Sequence, residues 1–457
     1  MILLQLNSFF RTNANILWWF SLVLWFDITR ILSRFMRSTL SGIDRVEYAY
    51  LKEICEKPHP FTVEFVITTP WFSGLINSDR VRDIFPRLEH TWGIYGSSAA
   101  DLVYLSLKNW LERPLLKDLT ACARFQGKST SEIIRRDMIN LVRDIIRAGT
   151  RLERRLIQFE QRKGVYLNVS HLMLDAPQRF KWAQNNNIQT AFLLHDTIPI
   201  DFPEFCRPGA AEQHLMRLKT VASLNSKIIV NSQFTKKSIK HHFGQLGIPN
   251  NAVKVAPLAV SECFIRSPHS NTPDSLPGYF ICVGTIEPRK NLAFLLSVWR
   301  NIVAILGENA PRLVIVGRRG WKIENIIDIL ERASSVAPFV AEVSDLTDAG
   351  LADLISGALA VLAPSTVEGF GLPVIEALAG GVPVIASNIE AHREAGAAYA
   401  TYIDPLDGLK WISTILEFAQ SESSVRYEAV VKARTYVPLR WPQHVNGVFN
   451  YLMHGGR

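Results

Sequence analysis

The sequence has few of the residues that build disulfide frameworks or metal centres. Its 457 residues include only five cysteines, which are scattered along the chain without Cys-x-x-Cys spacing. This odd number and wide spacing fit neither a zinc site nor a set of paired disulfides, and they favour a reducing compartment. The cysteines are Cys55, Cys122, Cys206, Cys263 and Cys282.

The N-terminal region has an apolar run, but it is a short one. Ile16–Phe26 is far shorter than the roughly 20 residues that a membrane-spanning helix needs. Arg11 precedes the run, yet the small-residue cleavage site of a secretory signal is missing, and Asp27 ends it. We interpret its second half as the first buried strand of an N-terminal sheet. Its Trp-Trp-Phe part could instead lie at a membrane interface.

The charge balance is basic. A length of 457 residues allows two or three domains, and 48% hydrophobic residues suffice for their cores. The net charge of +8 suits an anionic partner such as nucleic acid, an acidic lipid surface or a phosphorylated substrate. Nucleic acid fits poorly, since no recognised nucleic-acid module accompanies the charge.

A predicted helical region from about 101 to 161 carries a basic belt, which is either a solvated surface or a peripheral membrane face. The belt consists of Arg135, Arg136, Arg143, Arg147, Arg151, Arg154 and Arg155.

One stretch carries the strongest chemical pattern. Ala360–Ala363 is predicted as a strand, followed by a loop with two glycines and a helix with Pro373 near its start. Free N–H groups at such a helix start favour an anion. Glu368 and Glu376 repel phosphate but can accept hydrogen bonds from sugar hydroxyls. A nucleotide sugar offers both groups, whereas the plainer alternative is a solvated helix face whose glycines only turn the chain.

The two glutamates, spaced Glu368-x7-Glu376 around a Gly-Phe-Gly-Leu-Pro core, resemble the pattern of retaining family-4 glycosyltransferases. The resemblance covers most of the chain and is strongest from about 278 to 404. It implies an α/β protein with the GT-B fold, in which two Rossmann-like domains face each other across a cleft. The expected parts are an acceptor-side domain (1–262), a linker (263–278), a nucleotide-sugar donor domain (279–438) and a C-terminal helix that returns to the first domain (439–457).

The resemblance implies roles for the central loop. Glu368 is expected to hold the transferred sugar and Glu376 the ribose hydroxyls. The backbone N–H groups of Phe370, Gly371 and Leu372 are expected to bind the diphosphate.

A basic pair is expected to complete the diphosphate site. Negative charge grows on a diphosphate leaving group as the glycosidic bond breaks, so fixed cations there stabilise the transition state. Arg289 and Lys290 match the family's basic pair, although two solvated turn residues are the plain alternative. They follow Gly284 and Thr285, where many relatives carry an Arg at the second position. The Gly-Thr-x-Glu-Pro-Arg-Lys-Asn sequence resembles a mannosyltransferase-type subset.

Further candidates follow other predicted strands. Gly317 and Val343 correspond to elements that hold the nucleotide base and phosphates in the family. His195 follows four apolar residues at a strand end, where ligands collect in open α/β sheets, and it matches the family's cleft-facing histidine. Asp196 is expected to orient it or bind an acceptor hydroxyl. His171 ends the preceding predicted strand and could be structural or functional.

The first loop of the N-terminal domain supplies acceptor-side candidates. Gly42 and Arg45 lie where the family's first glycine-containing loop faces the cleft. A plain turn with a surface arginine explains them nearly as well.

The resemblance implies a retaining hexosyltransferase without a cofactor, and we expect it to be metal-independent. No Asp-x-Asp metal motif stands out, and cations with a helix terminus can replace Mg²⁺. The expected donor is GDP-mannose, and the acceptor is a saccharide or lipid-linked oligosaccharide in polysaccharide or lipopolysaccharide assembly. The expected location is cytoplasmic, including the anionic inner membrane face. The alternatives are a sugar-nucleotide epimerase or phosphorylase on the same fold, or a non-catalytic sugar-nucleotide-binding scaffold.

Overall fold

The computed structural model describes residues 22–34, 40–92, 96–115, 121–127, 148–159, 163–249, 252–265 and 278–454. Residues 1–21, most of the expected linker, and the belt residues Arg135, Arg136, Arg143 and Arg147 lie outside this part. The strands are β1 (Val23–Asp27), β2 (Thr62–Thr68), β3 (Ser73–Ile76), β4 (Ala123–Gln126), β5 (Gly164–Asn168), β6 (Gln189–Leu194), β7 (Lys227–Val230), β8 (Val253–Val255), β9 (Tyr279–Val283), β10 (Arg312–Val316), β11 (Val340–Ser344), β12 (Ala360–Ala363), β13 (Val384–Ser387) and β14 (Thr401–Ile403).

Helices connect and cover these strands. They are α1 (Thr29–Ser33), α2 (Gly42–Glu56), α3 (Ser78–Thr91), α4 (Leu102–Glu112), α5 (Ala148–Gln158), α6 (Lys181–Asn185), α7 (Ile198–Asp201), α8 (Ala210–Ser223), α9 (Gln233–Gln245), α10 (Leu292–Leu306), α11 (Glu324–Arg332), α12 (Asp348–Ser356), α13 (Leu372–Ala379), α14 (Glu390–Gly396), α15 (Gly408–Ala419), α16 (Ser424–Arg434) and α17 (Trp441–His454).

Each of two sheets contains seven strands. The first has the order β3-β2-β1-β5-β6-β7-β8 and is parallel except for the β2–β3 hairpin. The second has the order β14-β13-β12-β9-β10-β11-β4 and is parallel throughout its described pairs. Both β1 and β10 are buried along their whole length. Parallel strands that are covered on both faces have nearly continuous apolar sequences, which accounts for the apolar runs at these positions. The predicted α/β class and the strand in the second half of the apolar run are confirmed.

The division of the chain differs from the expected one at β4. Residues 1–262 were expected in the first domain, with mostly helix between 101 and 161. Instead, β4 hydrogen-bonds along the outer edge of β11 in the second sheet, with Ala123 opposite Ala341. An open edge presents unpaired N–H and C=O groups that another strand can satisfy. Because the partner strand lies about 200 residues away in the sequence, local patterns do not reveal this pairing.

Helix α4 precedes β4 and is also held by the second domain. The Arg312 guanidinium donates to the backbone oxygens of Trp110 and Arg113, and its centre lies 4.6 Å from the Trp110 ring. The Asp101 carboxylate accepts hydrogen bonds from the Thr347 N–H and hydroxyl, both at 2.8 Å. The segment from Asp101 to β4 is therefore part of the second domain's structure.

The last helix crosses to the first domain. Helix α17 packs against α2, where the Tyr50 hydroxyl lies 2.9 Å from Nε2 of His444. His444 Nδ1 lies 2.7 Å from the Pro257 oxygen, so Nδ1 carries the hydrogen and Nε2 accepts from Tyr50.

One helical stretch in the described residues is long and apolar enough to cross a membrane by composition alone. It is Pro288–Asn309, which contains α10. Leu295, Trp299 and Ile302 on this helix are buried in the core of the second domain. That packing accounts for the apolar composition of the helix.

Replacing Arg312 by Ala tests the attachment of α4 to the second domain. Loss of the two charge-assisted hydrogen bonds and the ring contact is expected to lower the free energy of unfolding by about 2–4 kcal/mol. Urea denaturation measures it. The matched control is Arg332→Ala, because Arg332 is exposed and contacts Asp328 only on the helix surface. Equal stability of the two variants would contradict the attachment.

Candidate active site

The candidate site forms at the loop between β12 and α13. Gly371 immediately precedes α13 with a φ of +119°, a conformation that L side chains rarely adopt. Pro373 lies in the first turn of the helix, and Glu376 one residue beyond that turn. Pro373 has no N–H and the Val374 N–H donates to the Gly371 oxygen at 3.0 Å, so the Leu372 N–H is the helix donor that is directed out of the N-terminus.

The same loop meets the first domain. A Cβ atom added at Gly369 would lie 2.4 Å from the backbone oxygen of His195, so only glycine allows this approach. The Ser232 hydroxyl, which caps α9, donates to the Gly369 oxygen at 2.7 Å. Next to it, the Gln233 N–H donates to the Glu394 carboxylate of α14 at 2.7 Å. The two domains therefore contact each other directly at the predicted glycine-rich loop.

Glu368 binds both members of the predicted basic pair. Its Oε1 lies 2.5 Å from Nζ of Lys290, and its Oε2 accepts from the Arg289 guanidinium. The Ser365 hydroxyl donates to Oε1 at 2.8 Å, and Glu287 holds the other side of Arg289 at 2.6 Å. The structure thus brings Glu368, Arg289 and Lys290 into one buried cluster.

The charges in this cluster depend on one another. Burial by itself raises the pKa of Glu368, but the Arg289 and Lys290 charges outweigh it and hold that pKa well below its ordinary value. Burial raises the pKa of Glu287, with Arg289 opposing. Glu368 is consequently ionised at neutral pH, and its two cations are held in fixed positions beside the loop.

Three glycines let the neighbouring loops approach the basic pair. A Cβ atom at Gly284 would lie 2.8 Å from Cε of Lys290, and one at Gly317 would lie 1.9 Å from the Gly284 oxygen. Gly320 packs in the same way against Ile286, and its added Cβ would lie 3.1 Å from Cγ2 of Thr285. Gly284, Thr285 and Gly317 therefore lie together at the carboxyl ends of β9 and β10.

Glu376 is buried and binds an arginine from the other domain. Nη1 of Arg45, on α2, lies 3.1 Å from Oε1 of Glu376, and Nη2 lies 2.5 Å from Oδ1 of Asp348. Gly42 begins α2, and a methyl group there would lie 3.5 Å from Cδ1 of Leu372. Both first-loop candidates thus lie against the second domain.

His195 follows β6 and is buried. Its Nε2 lies 2.8 Å from the Val169 oxygen, so Nε2 carries the hydrogen and Nδ1 is the acceptor. Burial lowers the pKa of His195 to about 4, although the Val169 carbonyl opposes the shift, so the ring is neutral at pH 7. The His195 N–H donates to Nε2 of His171 at 2.5 Å, and the two rings are 4.8 Å apart. His171 therefore positions the His195 backbone.

Asp196 lies against the same glycine. A Cβ atom at Gly369 would lie 2.9 Å from Cβ of Asp196, whose carboxylate accepts from the Ile198 N–H at 3.1 Å. The pKa of Arg289 is raised: burial is the largest single effect and lowers it, but the neighbouring carboxylates outweigh burial. Glu368 contributes most to the rise, and Asp196 adds to it. The charge of Asp196 also acts on His195, where it opposes the lowering of the pKa by burial.

Val343 and the arginines near it have structural contacts. The Gly317 N–H donates to the Val343 oxygen at 2.8 Å, which joins the ends of β10 and β11. Arg318 binds Asp345 at 2.9 Å, and Arg319 binds Glu342 with two hydrogen bonds of 2.8 and 2.7 Å. Both guanidinium groups are thus occupied by carboxylates of the second domain.

Sequence patterns missed several residues of this site. Ser232 caps α9, and its hydroxyl also donates to the Gly369 oxygen. His392 is buried on α14, with Cδ2 3.2 Å from an added Cβ at Gly371. Glu287 lies within the quoted Gly-Thr-x-Glu-Pro-Arg-Lys-Asn sequence and Ser365 three residues before Glu368, so both could have been suspected as hydrogen-bonding partners of charged neighbours. Asp348 carried no signal in the sequence, because its partner Arg45 belongs to the other domain.

No metal-binding group of three or more His, Cys, Asp or Glu residues is found in the described part of the chain. A polar surface hollow of about 360 Å³ lies between the end of α2 and the start of β2, at the sheet edge opposite the cleft. It is lined by Cys55, Lys57, His59 and Arg82 among others and does not touch the loop before α13.

Residues 277–420, which contain this loop and the basic pair, match the protein family described as glycosyl transferases group 1. The chain is 30% identical over 238 residues to O-antigen chain mannosyltransferase B of Escherichia coli, covering 50% of this chain and 61% of that protein. It is 32% identical over 152 residues to O-antigen chain mannosyltransferase RfbU of Salmonella typhimurium, covering 32% and 40%.

The chain therefore spans about three fifths of the first relative and two fifths of the second.

The crystal structure of Anabaena Alr3699/HepE in complex with UDP is similar over 94% of this chain and 99% of that one, with a TM-score of 0.56 and 13% identity. This likeness shows the GT-B fold. The resemblance to mannosyltransferase-like glycosyltransferases is confirmed by the glycosyl transferase domain and these relatives.

Replacing Gly317 by Ala tests the close packing behind the basic pair. The new methyl group meets backbone atoms of Gly284, which cannot rotate away, so the two loops must separate. The free energy of unfolding is expected to fall by about 1–3 kcal/mol. Gly244→Ala in α9 is the control, because nothing lies within 4 Å of its added Cβ. That change is expected to be neutral or stabilising by up to about 1 kcal/mol. Identical thermal melting curves for both variants would refute the argument.

Proposed function

We propose that the protein is a retaining glycosyltransferase that moves a hexose from a nucleotide diphosphate sugar to a saccharide or lipid-linked acceptor. The observation that carries this proposal is the partly buried pair Arg289 and Lys290, held by Glu368 beside the N-terminus of α13. These groups combine fixed positive charge, directed N–H groups and a carboxylate at one point in the cleft. A diphosphate joined to a sugar matches all three.

The basic pair would stabilise the leaving group. As the glycosidic bond breaks, charge grows on the diphosphate, and cations that are already oriented need no reorganisation to receive it. Glu287 and Glu368 keep Arg289 and Lys290 in place. The N–H groups of Phe370, Gly371 and Leu372 at the helix start would bind further phosphate oxygens. These groups supply the neutralisation that Mg²⁺ provides elsewhere, and we accordingly propose metal independence.

The carboxylates and His195 would hold the sugars. Glu376 would accept hydrogen bonds from the ribose hydroxyls, and Glu368 from the transferred hexose, since an ionised carboxylate has about four acceptor positions. His195 is neutral and lies behind Gly369, where it would shape the hexose site from the first domain. Gly284, Thr285, Gly317 and the Val343 backbone would surround the nucleotide.

The proposed donor is GDP-mannose and the proposed pathway is polysaccharide assembly. The Gly-Thr-x-Glu-Pro-Arg-Lys-Asn sequence and the mannosyltransferase names of the E. coli and Salmonella relatives support mannose. Those relatives are described as O-antigen chain enzymes, which supports a saccharide or lipid-linked acceptor.

Nucleotide release tests the proposal directly. The purified protein is incubated with GDP-, UDP-, ADP- and dTDP-sugars and membrane lipid extract, with and without EDTA. We expect release from GDP-mannose alone, unaffected by EDTA, with the product anomer matching the donor by NMR. Lys290→Ala is expected to reduce the rate by about 100-fold or more, as for other lost transition-state donors. Glu376→Ala is expected to raise the donor KM.

Lys410→Ala is the control, because Lys410 is exposed on α15 and is not one of the proposed site residues. It should leave release unchanged. Tight donor binding without release under any acceptor would refute the transferase and favour a binding protein. Inversion at the anomeric carbon, or loss of release in EDTA, would refute the corresponding part of the mechanism.

We also propose that the first domain binds an anionic membrane surface through α5. The described part of the basic belt lies on this helix, with Arg154 and Arg155 exposed and Ile157 74% exposed. Helix α5 packs on β3, which follows the turn that carries Trp71, 87% exposed. Clustered arginines beside exposed apolar side chains suit an acidic lipid surface.

Vesicle sedimentation tests this surface. Arg154→Glu is expected to weaken binding to vesicles rich in phosphatidylglycerol by about 30-fold, since the reversal changes the charge by two and each charge near the surface contributes about 1 kcal/mol. Arg332→Glu, an equally drastic change on the second domain, should have no effect. Equal binding to neutral phosphatidylcholine vesicles would exclude an electrostatic contact.

A further inference from the structure

Arg45 belongs to the first domain but binds two carboxylates of the second. Its guanidinium lies between Oδ1 of Asp348 on α12, at 2.5 Å, and Oε1 of Glu376 on α13, at 3.1 Å. The side chains are 14%, 13% and 3% exposed, respectively. An ion pair this well shielded from water is coupled far more strongly than an exposed one.

The surroundings fix Arg45 in this position. Its guanidinium centre lies 5.5 Å from the Phe264 ring, and the start of its helix packs on Leu372 at the start of α13. Both Nη1 and Nη2 are thus engaged by the second domain. This arrangement leaves Arg45 poorly placed for the acceptor contact that its sequence position suggested.

Glu376 depends on Arg45 electrostatically. Burial raises the pKa of Glu376, Arg45 opposes that rise, and the like charge of Asp348 adds to it. The third titratable group that faces this cluster within the described residues is Cys263, an exposed residue whose thiol pKa is raised by partial desolvation, so it is a neutral thiol at physiological pH. Arg45 is therefore the cation that favours the ionised form of Glu376.

We propose that Arg45 is a positioning residue for the sugar-nucleotide donor, which keeps the Glu376 carboxylate charged and oriented to accept the donor's vicinal hydroxyls. A carboxylate whose Oε1 is held by Arg45 has a fixed plane, so Oε2 presents its lone pairs in one direction. Because Arg45 comes from the first domain, this orientation depends on the contact between α2 and the second domain. Closure would thus complete the donor site as well as cover it.

This inference rests on the proposed function, because it takes Glu376 as the residue that binds donor hydroxyls. It makes a pH-dependent prediction with a definite sign. Without Arg45 the pKa of Glu376 rises further, so a larger fraction is protonated as the pH falls. Donor binding should then weaken at low pH and recover as the pH increases.

The test measures donor KM and kcat for GDP-mannose between pH 6 and pH 9, with the GDP-mannose dissociation constant from calorimetry alongside. In Arg45→Gln, the donor KM is expected to rise at the acidic end of the range, by about tenfold for each unit by which the pKa of Glu376 increases. At the alkaline end, the donor KM of the variant should approach that of the unaltered protein. The kcat should change much less. Arg45→Lys keeps the charge and should restore most of the pH profile. Thermal melting of each variant checks that it is folded.

Lys237→Gln is the matched control. Lys237 pairs with Glu390 across the same domain boundary but contacts no proposed donor residue. If Arg45 only joined the domains, both variants would show the same pH-independent change, which would overturn the inference. If Arg45→Gln raised only the acceptor KM, Arg45 would be assigned to the acceptor site, and the inference would also be overturned.

The double variant Arg45→Gln, Glu376→Gln separates the remaining possibilities. With Glu376 replaced by an amide that does not titrate, removal of Arg45 should produce no further pH dependence. Persistence of the pH dependence in the double variant would assign it to another group. Absence of donor binding and release in the unaltered protein would overturn the proposed function itself, whereas normal release with an unaffected Arg45→Gln profile overturns only the role of Arg45.

Discussion

The organisation of the cleft depends on keeping two buried carboxylates charged. Glu368 and Glu376 lie on either side of the N-terminus of α13, where burial alone would favour their neutral forms. Each has an arginine against it, Arg289 from its own domain or Arg45 from the other. Glu368 has Lys290 as a second cation, whereas the ion-pair partner of Glu376 is Arg45, so loss of Arg45 favours the neutral form of Glu376. The need for these cations therefore links the structure of the loop before α13 to the contact between the two domains.

The second constraint is the close approach of backbone to backbone. Gly317 lies against Gly284, and Gly369 lies against His195, at distances where a Cβ atom would overlap the neighbouring carbonyl oxygen. These contacts bring the carboxyl ends of β9, β10 and β6 together with the loop before α13. The cations and N–H groups therefore converge without long side chains spanning open space. Tight packing of this kind gives fixed dipoles and charges, which is what stabilisation of a developing charge requires.

Sequence patterns located the loop before α13, the basic pair and the strands that precede the candidate residues, because each depends on residues that are close together in the sequence. Glycine at a positive φ, apolar runs for buried parallel strands and charged residues directly after strands are all readable within a few residues. The added strand β4 was missed, and the range 1–262 was consequently too inclusive for the first domain. An edge strand of four residues with alternating half-buried and exposed side chains has almost no local signal.

The sequence by itself determined the α/β class, the identity of the charged residues and the glycines that permit their approach. Only the tertiary structure decided which charges pair. It placed Arg45 on Glu376 and Asp348, gave Ser232 a contact with Gly369, and made His171 the acceptor for the His195 N–H. The physical reason is that a buried ion pair or hydrogen bond needs a partner within about 3 Å but imposes no spacing along the chain. Contacts between residues more than 300 positions apart are therefore set by the packing of whole domains, as for Arg45 and Glu376.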